Sequence, residues 1–206
     1  DLIESISISF LGWVLILSTE TFHLLGLING LGQLLLFAGV VCLPIWRTGR
    51  MCYVDIGWPW GLVLLGTISF LYSDGYWLRS ALISSMVILV GLRMGFGALK
   101  LWQAGYLERE FPRYQYQRIV WKEEGKSNTQ FALQVDAISQ GMANASFLAL
   151  PILITASNTN ESFVLLEFIG MGIWLLALIL ESVADFQKLL FLRSMKKAKK
   201  YNHKPK

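Results

Sequence analysis

The side chains with the most chemical potential stand where an apolar run ends, at Glu181-Ser182-Val183-Ala184-Asp185-Phe186-Gln187-Lys188-Leu189-Leu190-Phe191-Leu192-Arg193. Glu181, Asp185 and Lys188 are spaced i, i+4 and i+7, so a continuing helix carries them on one face. Two carboxylates one turn apart repel by roughly a few tenths of a kcal/mol in water and by more where water is scarce. A basic loop, Lys188 itself or a hydrogen-bonding ligand would compensate them; a solvated helix end at a membrane surface has the same pattern. A second group is Arg50-Met51-Cys52-Tyr53-Val54-Asp55-Ile56-Gly57-Trp58-Pro59-Trp60-Gly61. Asp55 either lines a polar pocket walled by Trp58 and Trp60, or caps a helix whose first turn holds Pro59. The third is Asp136, Gln140 and Asn144 at i, i+4 and i+8. This stripe must face other helices or a water-filled cavity, because unpartnered polar groups are costly in hydrocarbon. Hydrogen bonding between helices would account for it as well. The fourth is Arg113, Tyr114, Arg118 and Trp121, a basic and aromatic set that suits phosphates and a planar base, or lipid headgroups under an amphipathic helix. Arg93 lies inside an apolar run, where it either snorkels or pairs with Asp55.

The elements that must hold these groups are membrane helices. Of 206 residues, 54% are hydrophobic and 16% charged, too apolar for an ordinary soluble domain. Six runs, at about 3–19, 24–46, 54–73, 79–100, 130–156 and 163–182, approach the roughly 20 residues that a bilayer crossing needs. The first is the weakest, diluted by Glu4 and by Ser5, Ser7 and Ser9. The expected fold is all-α, a polytopic transmembrane helix bundle of about six spans forming one domain over residues 1–206. It carries a cytoplasmic loop at 101–129 and a basic tail at 193–206. The sequence opens on Asp1 rather than Met, as a processed or excised part of a longer protein would, and shows no separate signal peptide.

Charge sets the orientation. Sixteen of the eighteen Lys and Arg residues fall in the 47–53 loop, in 100–126 or from Lys188 onward, so the positive-inside rule places both termini in the cytoplasm. That describes a multi-pass protein of the endoplasmic reticulum if eukaryotic, or of the inner membrane if bacterial. The tail from Arg193 to Lys206 holds seven basic residues and no acid, which favours anionic membrane lipids over nucleic acid as its partner. Cys42 and Cys52 read as free thiols. Gly26/Gly30, Gly57/Gly61 and Gly91/Gly95 predict close helix approach, and Pro151 predicts a kink. Glu167 receives no role. By depth, Asp55, Arg93, Asp136, Gln140, Glu181, Asp185 and Lys188 share the cytoplasmic half, which predicts a cavity open to the cytosol.

Several stretches, in order, resemble the steroid 5-alpha-reductase-like membrane protein family, especially its widespread relatives of unsettled substrate. They are Val54-Asp55-Ile56-Gly57-Trp58 with Gly61; Gly91-Leu92-Arg93-Met94-Gly95; Arg113-Tyr114 with Arg118 and Trp121; Gln140-Gly141 followed by Leu150-Pro151; and Glu181 through Lys188 with Phe191. The resemblance implies a bundle that holds NADPH at its cytoplasmic side and reduces a carbon–carbon double bond conjugated to a carbonyl in a lipid-like substrate such as a steroid, sterol or isoprenoid. Arg93, Glu181, Asp185 and Lys188 would then belong to the cofactor site, with Arg113, Tyr114 and Arg118 in its basic lid. Asp55 and Gln140 would act on the substrate carbonyl, and Trp58, Asp136 and Asn144 would line the substrate. Family members continue into a segment with Arg, His, Pro, Asn and Tyr that completes the cofactor pocket. They also carry arginines where this chain has Leu189 and Leu192. The expectation is therefore a cut sequence or a partial nucleotide site. Two alternatives stay open: an isoprenylcysteine-methyltransferase-like enzyme using S-adenosylmethionine, and a non-catalytic lipid-binding bundle.

Overall fold

A computed structural model describes residues 2–125 and 129–202, without side-chain placement at 2–7, 189, 192, 193 and 195–202. Lys126, Lys204 and Lys206 of the expected loop and tail lie outside the described residues. Among the described residues the chain is helical and has no strand. The helices are α1 (Leu2–Ser18), α2 (His23–Leu36), α3 (Leu43–Thr48), α4 (Val54–Tyr72), α5 (Trp77–Gln103), α6 (Pro112–Glu123), α7 (Thr129–Ala145), α8 (Ala149–Ala156) and α9 (Leu165–Asn202). A π-helical turn, Phe37–Cys42, joins α2 to α3, and short 3-10 turns occupy Met51–Tyr53 and Tyr106–Glu108. Among the described residues, five stretches are long and apolar enough to cross a membrane: His23–Thr48, Met51–Tyr72, Trp77–Gln103, Thr129–Ala156 and Leu165–Lys188. The protein is thus an all-α, polytopic helix bundle and an integral membrane protein. The first expected span forms α1, which at 17 residues is shorter than the five stretches above.

The chain divides into two compact units, Asp1–Glu161 and Ser162–Lys206. In the first, α4 and α5 make the most extensive helix pair, and Gly91 shows why. A Cβ built on it would stand 2.7 Å from the Pro59 carbonyl oxygen and 2.9 Å from the Val63 nitrogen, both backbone atoms that cannot retreat. Gly91→Ala is therefore expected to destabilise the bundle by about 1–3 kcal/mol, measured by thermal unfolding in detergent. Gly97→Ala, two turns along the same helix with open space around it, is the control and should be neutral or slightly stabilising.

Prolines set the irregularities. Pro44 has no N–H, so the backbone ahead of it widens and the Leu43 N–H reaches five residues back to the Ala38 carbonyl. Pro151 clashes with the carbonyl four residues earlier, and the predicted kink is a full break between Ala145 and Ala149, with the Leu148 N–H bonded to the Ala143 carbonyl at 3.2 Å. Pro59 corrects an expectation: it sits inside α4 rather than in its first turn, because the helix begins earlier, at Val54.

A layer of buried amides ties three helices together. Gln33 of α2 donates to the Gly61 carbonyl at 2.7 Å and to Asn29 Oδ1 at 3.2 Å, Asn29 donates to the Asn144 carbonyl at 3.3 Å, and Asn144 donates to the Trp58 carbonyl at 3.1 Å. Gly61 admits this layer, since a Cβ there would lie 2.4 Å from Asn144 Nδ2 and 2.6 Å from Gln33 Oε1. The second unit is dominated by α9, whose 38 residues extend about 57 Å at 1.5 Å per residue. Glu167, left without a role in the sequence, accepts the Val164 N–H at 2.8 Å at the start of this helix.

Candidate functional site

The polar centre of the first unit is a corner where the segment 107–118 folds onto residues 48–58. The turn that opens α4 leaves backbone N–H groups without intrahelical partners. Glu110 supplies the missing acceptors: its Oε2 takes the Met51 N–H at 2.7 Å and its Oε1 the Cys52 N–H at 3.2 Å. Arg118 donates to Glu110 Oε2 at 2.8 Å and also to the Gly49 carbonyl. Gly49 carries the positive φ, 67°, that ends α3 and turns that carbonyl toward Arg118. The Glu110 side chain is only 10% exposed, so this clasp is a buried one.

Extended Phe111 followed by Pro112 at the first helical position starts α6 and places Arg113 and Tyr114 in its first turn. Both reach Asp55. Arg113 forms an ion pair with Asp55 Oδ1, and the Tyr114 hydroxyl donates to the same oxygen at 3.3 Å. The Arg113 guanidinium also lies 4.8 Å from the centre of the Tyr114 ring. One expectation is corrected here: Asp55 caps no turn, a task performed by Glu110. The cation seen against Asp55 is Arg113 of α6, which the sequence had not paired with it. Burial, and then the charge of Asp55, hold the Tyr114 phenol above the ordinary tyrosine range, against the pull of Arg113. At neutral pH it is therefore a neutral donor.

Next to Asp55 along the same helix, Trp58 Nε1–H donates to Gln140 Oε1 at 3.1 Å, which joins α4 to α7. Asp136 lies half-buried one turn before Gln140. Asn144, expected to line a substrate, is fully buried, and its Nδ2 is engaged by the Trp58 carbonyl, so it serves helix packing. Arg93 is half-buried on α5. Glu181, Asp185 and Lys188 keep their helical spacing on α9 in the second unit.

The corner has capacity for an anion. Arg50, Arg113 and Arg118 face two carboxylates, Asp55 and Glu110, which leaves one net positive charge. Buried Nε atoms of Arg50 and Arg118 have no hydrogen-bond acceptor among the described residues, and the Arg113 side chain is 60% exposed. Of these, the exposed Arg113 guanidinium is the donor open to a phosphate. Elsewhere in this unit runs an apolar groove of about 460 Å³ lined by Trp13 of α1, Leu31 and Leu34 of α2, Phe37, and Ile138 and Met142 of α7. Its size is that of a small-molecule site.

Sequence reasoning missed Glu110, Arg50 and the Asn29–Gln33 pair. The amides carried a signal, being polar and one turn apart within an apolar run. Glu110 carried none, since its neighbours Glu108 and Arg109 make it one charge among several in a polar loop. A family model described as "Protein of unknown function (DUF1295)" matches residues 45–204. No curated protein and no solved structure matches the chain.

Proposed function

The chain belongs to the DUF1295 family, and from the chemistry of its corner we propose that it is a membrane-embedded reductase that uses NADPH to saturate a carbon–carbon double bond conjugated to a carbonyl in a lipid-like substrate. The observation that carries this reading is the meeting of Asp55, Arg113 and Tyr114, where a guanidinium and a neutral phenol converge on one carboxylate oxygen. NADPH, when bound, supplies the hydride. Arg113 and Arg50 are the residues with donors to hold its phosphates. Tyr114 supplies the proton from its hydroxyl, the role that the sequence left unassigned, and Asp55 orients that hydroxyl. Trp58 and Gln140, bonded to each other, form a wall that keeps water from the reacting end. In this reading both termini and the segment 101–129 face the cytoplasm, where NADPH is available.

Thermal unfolding of the full-length protein tests the cofactor. At a concentration about a hundredfold above Kd, NADPH should add about 2.7 kcal/mol of stability, and Arg50→Gln should reduce the gain. Stabilisation by S-adenosylmethionine in place of NADPH would favour the methyltransferase alternative. Stabilisation by neither would leave a lipid-binding bundle.

A further inference from the structure

Two polar ties hold the segment 107–118 against residues 48–58, and they differ in how far water reaches them. Glu110, its side chain 10% exposed, is clasped between the Met51 and Cys52 N–H groups and Arg118. Arg113 and Asp55 meet where the side-chain exposures are 60% and 29%. An ion pair so solvated is weak, and a ligand charge competes with it readily. The rest of the corner prepares such an exchange. The Arg113 guanidinium lies 4.8 Å from the centre of the Tyr114 ring and 6.0 Å from that of Phe111, so two aromatic neighbours steady it as well as Asp55. Asp55 Oδ1 accepts from the Tyr114 hydroxyl too, at 3.3 Å, and keeps that donor if the guanidinium turns away. Glu110 and Arg118 stand on either side of Arg113 in the chain, so the buried clasp fixes the backbone that carries the moving side chain.

We infer that Asp55 is an internal occupant of an anion site centred on Arg113: its carboxylate stands in for a phosphoryl group, and a bound phosphoryl group draws the guanidinium away from it and leaves Asp55 with Tyr114. Charge sets the direction of the effect. A phosphoryl group on Arg113 stands close to Asp55, and two anions sharing one guanidinium repel, so the Asp55 charge lowers the affinity of the site. Asparagine at this position keeps an acceptor oxygen for Arg113 and Tyr114 and removes the charge. Glu110, the other carboxylate that acts on Asp55, is engaged through both oxygens and stays in place. That the phosphoryl group belongs to NADPH rests on the reductase reading. The exchange itself asks only for a phosphoryl anion, of a soluble molecule or of a lipid headgroup.

The test uses inorganic pyrophosphate, titrated by calorimetry at constant ionic strength into the full-length protein in zwitterionic nanodiscs. Wild type should bind it, Arg113→Gln should bind roughly tenfold more weakly or worse, and Asp55→Asn should bind about tenfold more tightly than wild type. Asp55→Ser, also uncharged, should shift binding in the same direction and serves where Asp55→Asn does not fold. Absence of pyrophosphate binding in wild type, or binding by the uncharged variants no tighter than by wild type, would overturn the inference. Two further discs tell the sources apart while the Asp55→Asn gain remains the requirement. Suppression of pyrophosphate binding by phosphatidic acid, but not by oleate at equal charge, assigns the site to a headgroup; equal binding in both discs assigns it to a soluble phosphate. NADPH then reports on the reductase reading separately. Tighter pyrophosphate binding in Asp55→Asn without any NADPH binding keeps the exchange and removes the reductase, whereas NADPH turnover with an unchanged pyrophosphate affinity does the reverse.

Discussion

Glu110→Ala loosens the corner and lowers stability by about 3–5 kcal/mol, because a buried carboxylate is removed from between a guanidinium and two backbone donors. Each loss has a named cause. The Met51 and Cys52 N–H groups lose their acceptors, and Arg118 keeps only the Gly49 carbonyl. Unsatisfied buried donors cost about 1–3 kcal/mol apiece where water cannot reach them. Limited proteolysis should consequently cut within 101–125 in the variant and spare the wild type, and the melting temperature should fall. Glu110→Gln retains acceptor oxygen but no charge, so it should recover part of the loss. If Glu110→Ala melts with the wild type, the segment 107–118 is not held by this clasp.

Tyr114→Phe should lower turnover by about 10²- to 10⁴-fold if the phenol is the proton donor, with NADPH stabilisation retained. The ring stays to pack beneath Arg113, so the change removes the hydroxyl and little else. Its pH dependence has a definite sign. The folded protein holds the Tyr114 proton more tightly than the unfolded chain does, so the associated stability is complete below the unfolded value of about 10 and is lost as pH climbs through the higher folded value. Turnover should accordingly hold through the pH range in which ordinary tyrosines ionise and decline only above it. Steady-state rates against pH check this. A variant as fast as wild type would transfer the donor role to another group.

Much of this architecture was legible from hydropathy and glycine spacing. The apolar runs became helices, most with ends a few residues from those expected, although α9 continues twenty residues past the expected 182 and the run 130–156 is split into α7 and α8; Gly57, Gly61 and Gly91 stand at close approaches because small residues are what let helix backbones meet. The stripe of Gln140 and Asn144 does face inward, toward Trp58. The polar partnerships were less readable. Asp55 and Arg93 matched in depth, but Pro112 starts a helix that delivers Arg113 to Asp55, and nothing local in the sequence joins positions 58 residues apart. Glu110 reads as a loop charge because its partners at Met51 and Cys52 are backbone amides, which leave no trace in side-chain pattern. The strength of a proline break was equally hidden. Pro151 ends one helix and starts another, while Pro59 is absorbed within α4, a difference decided by what packs around each.

A single uninterrupted rod such as α9, nearly twice the roughly 30 Å of bilayer hydrocarbon, acts as a thickness gauge. Thin bilayers would tilt it and thick ones would draw it upright, each ångström of mismatch costing a fraction of a kcal/mol. Because the helix continues past Lys188 without a hinge proline or glycine, such tilting would carry its C-terminal turns along as one lever.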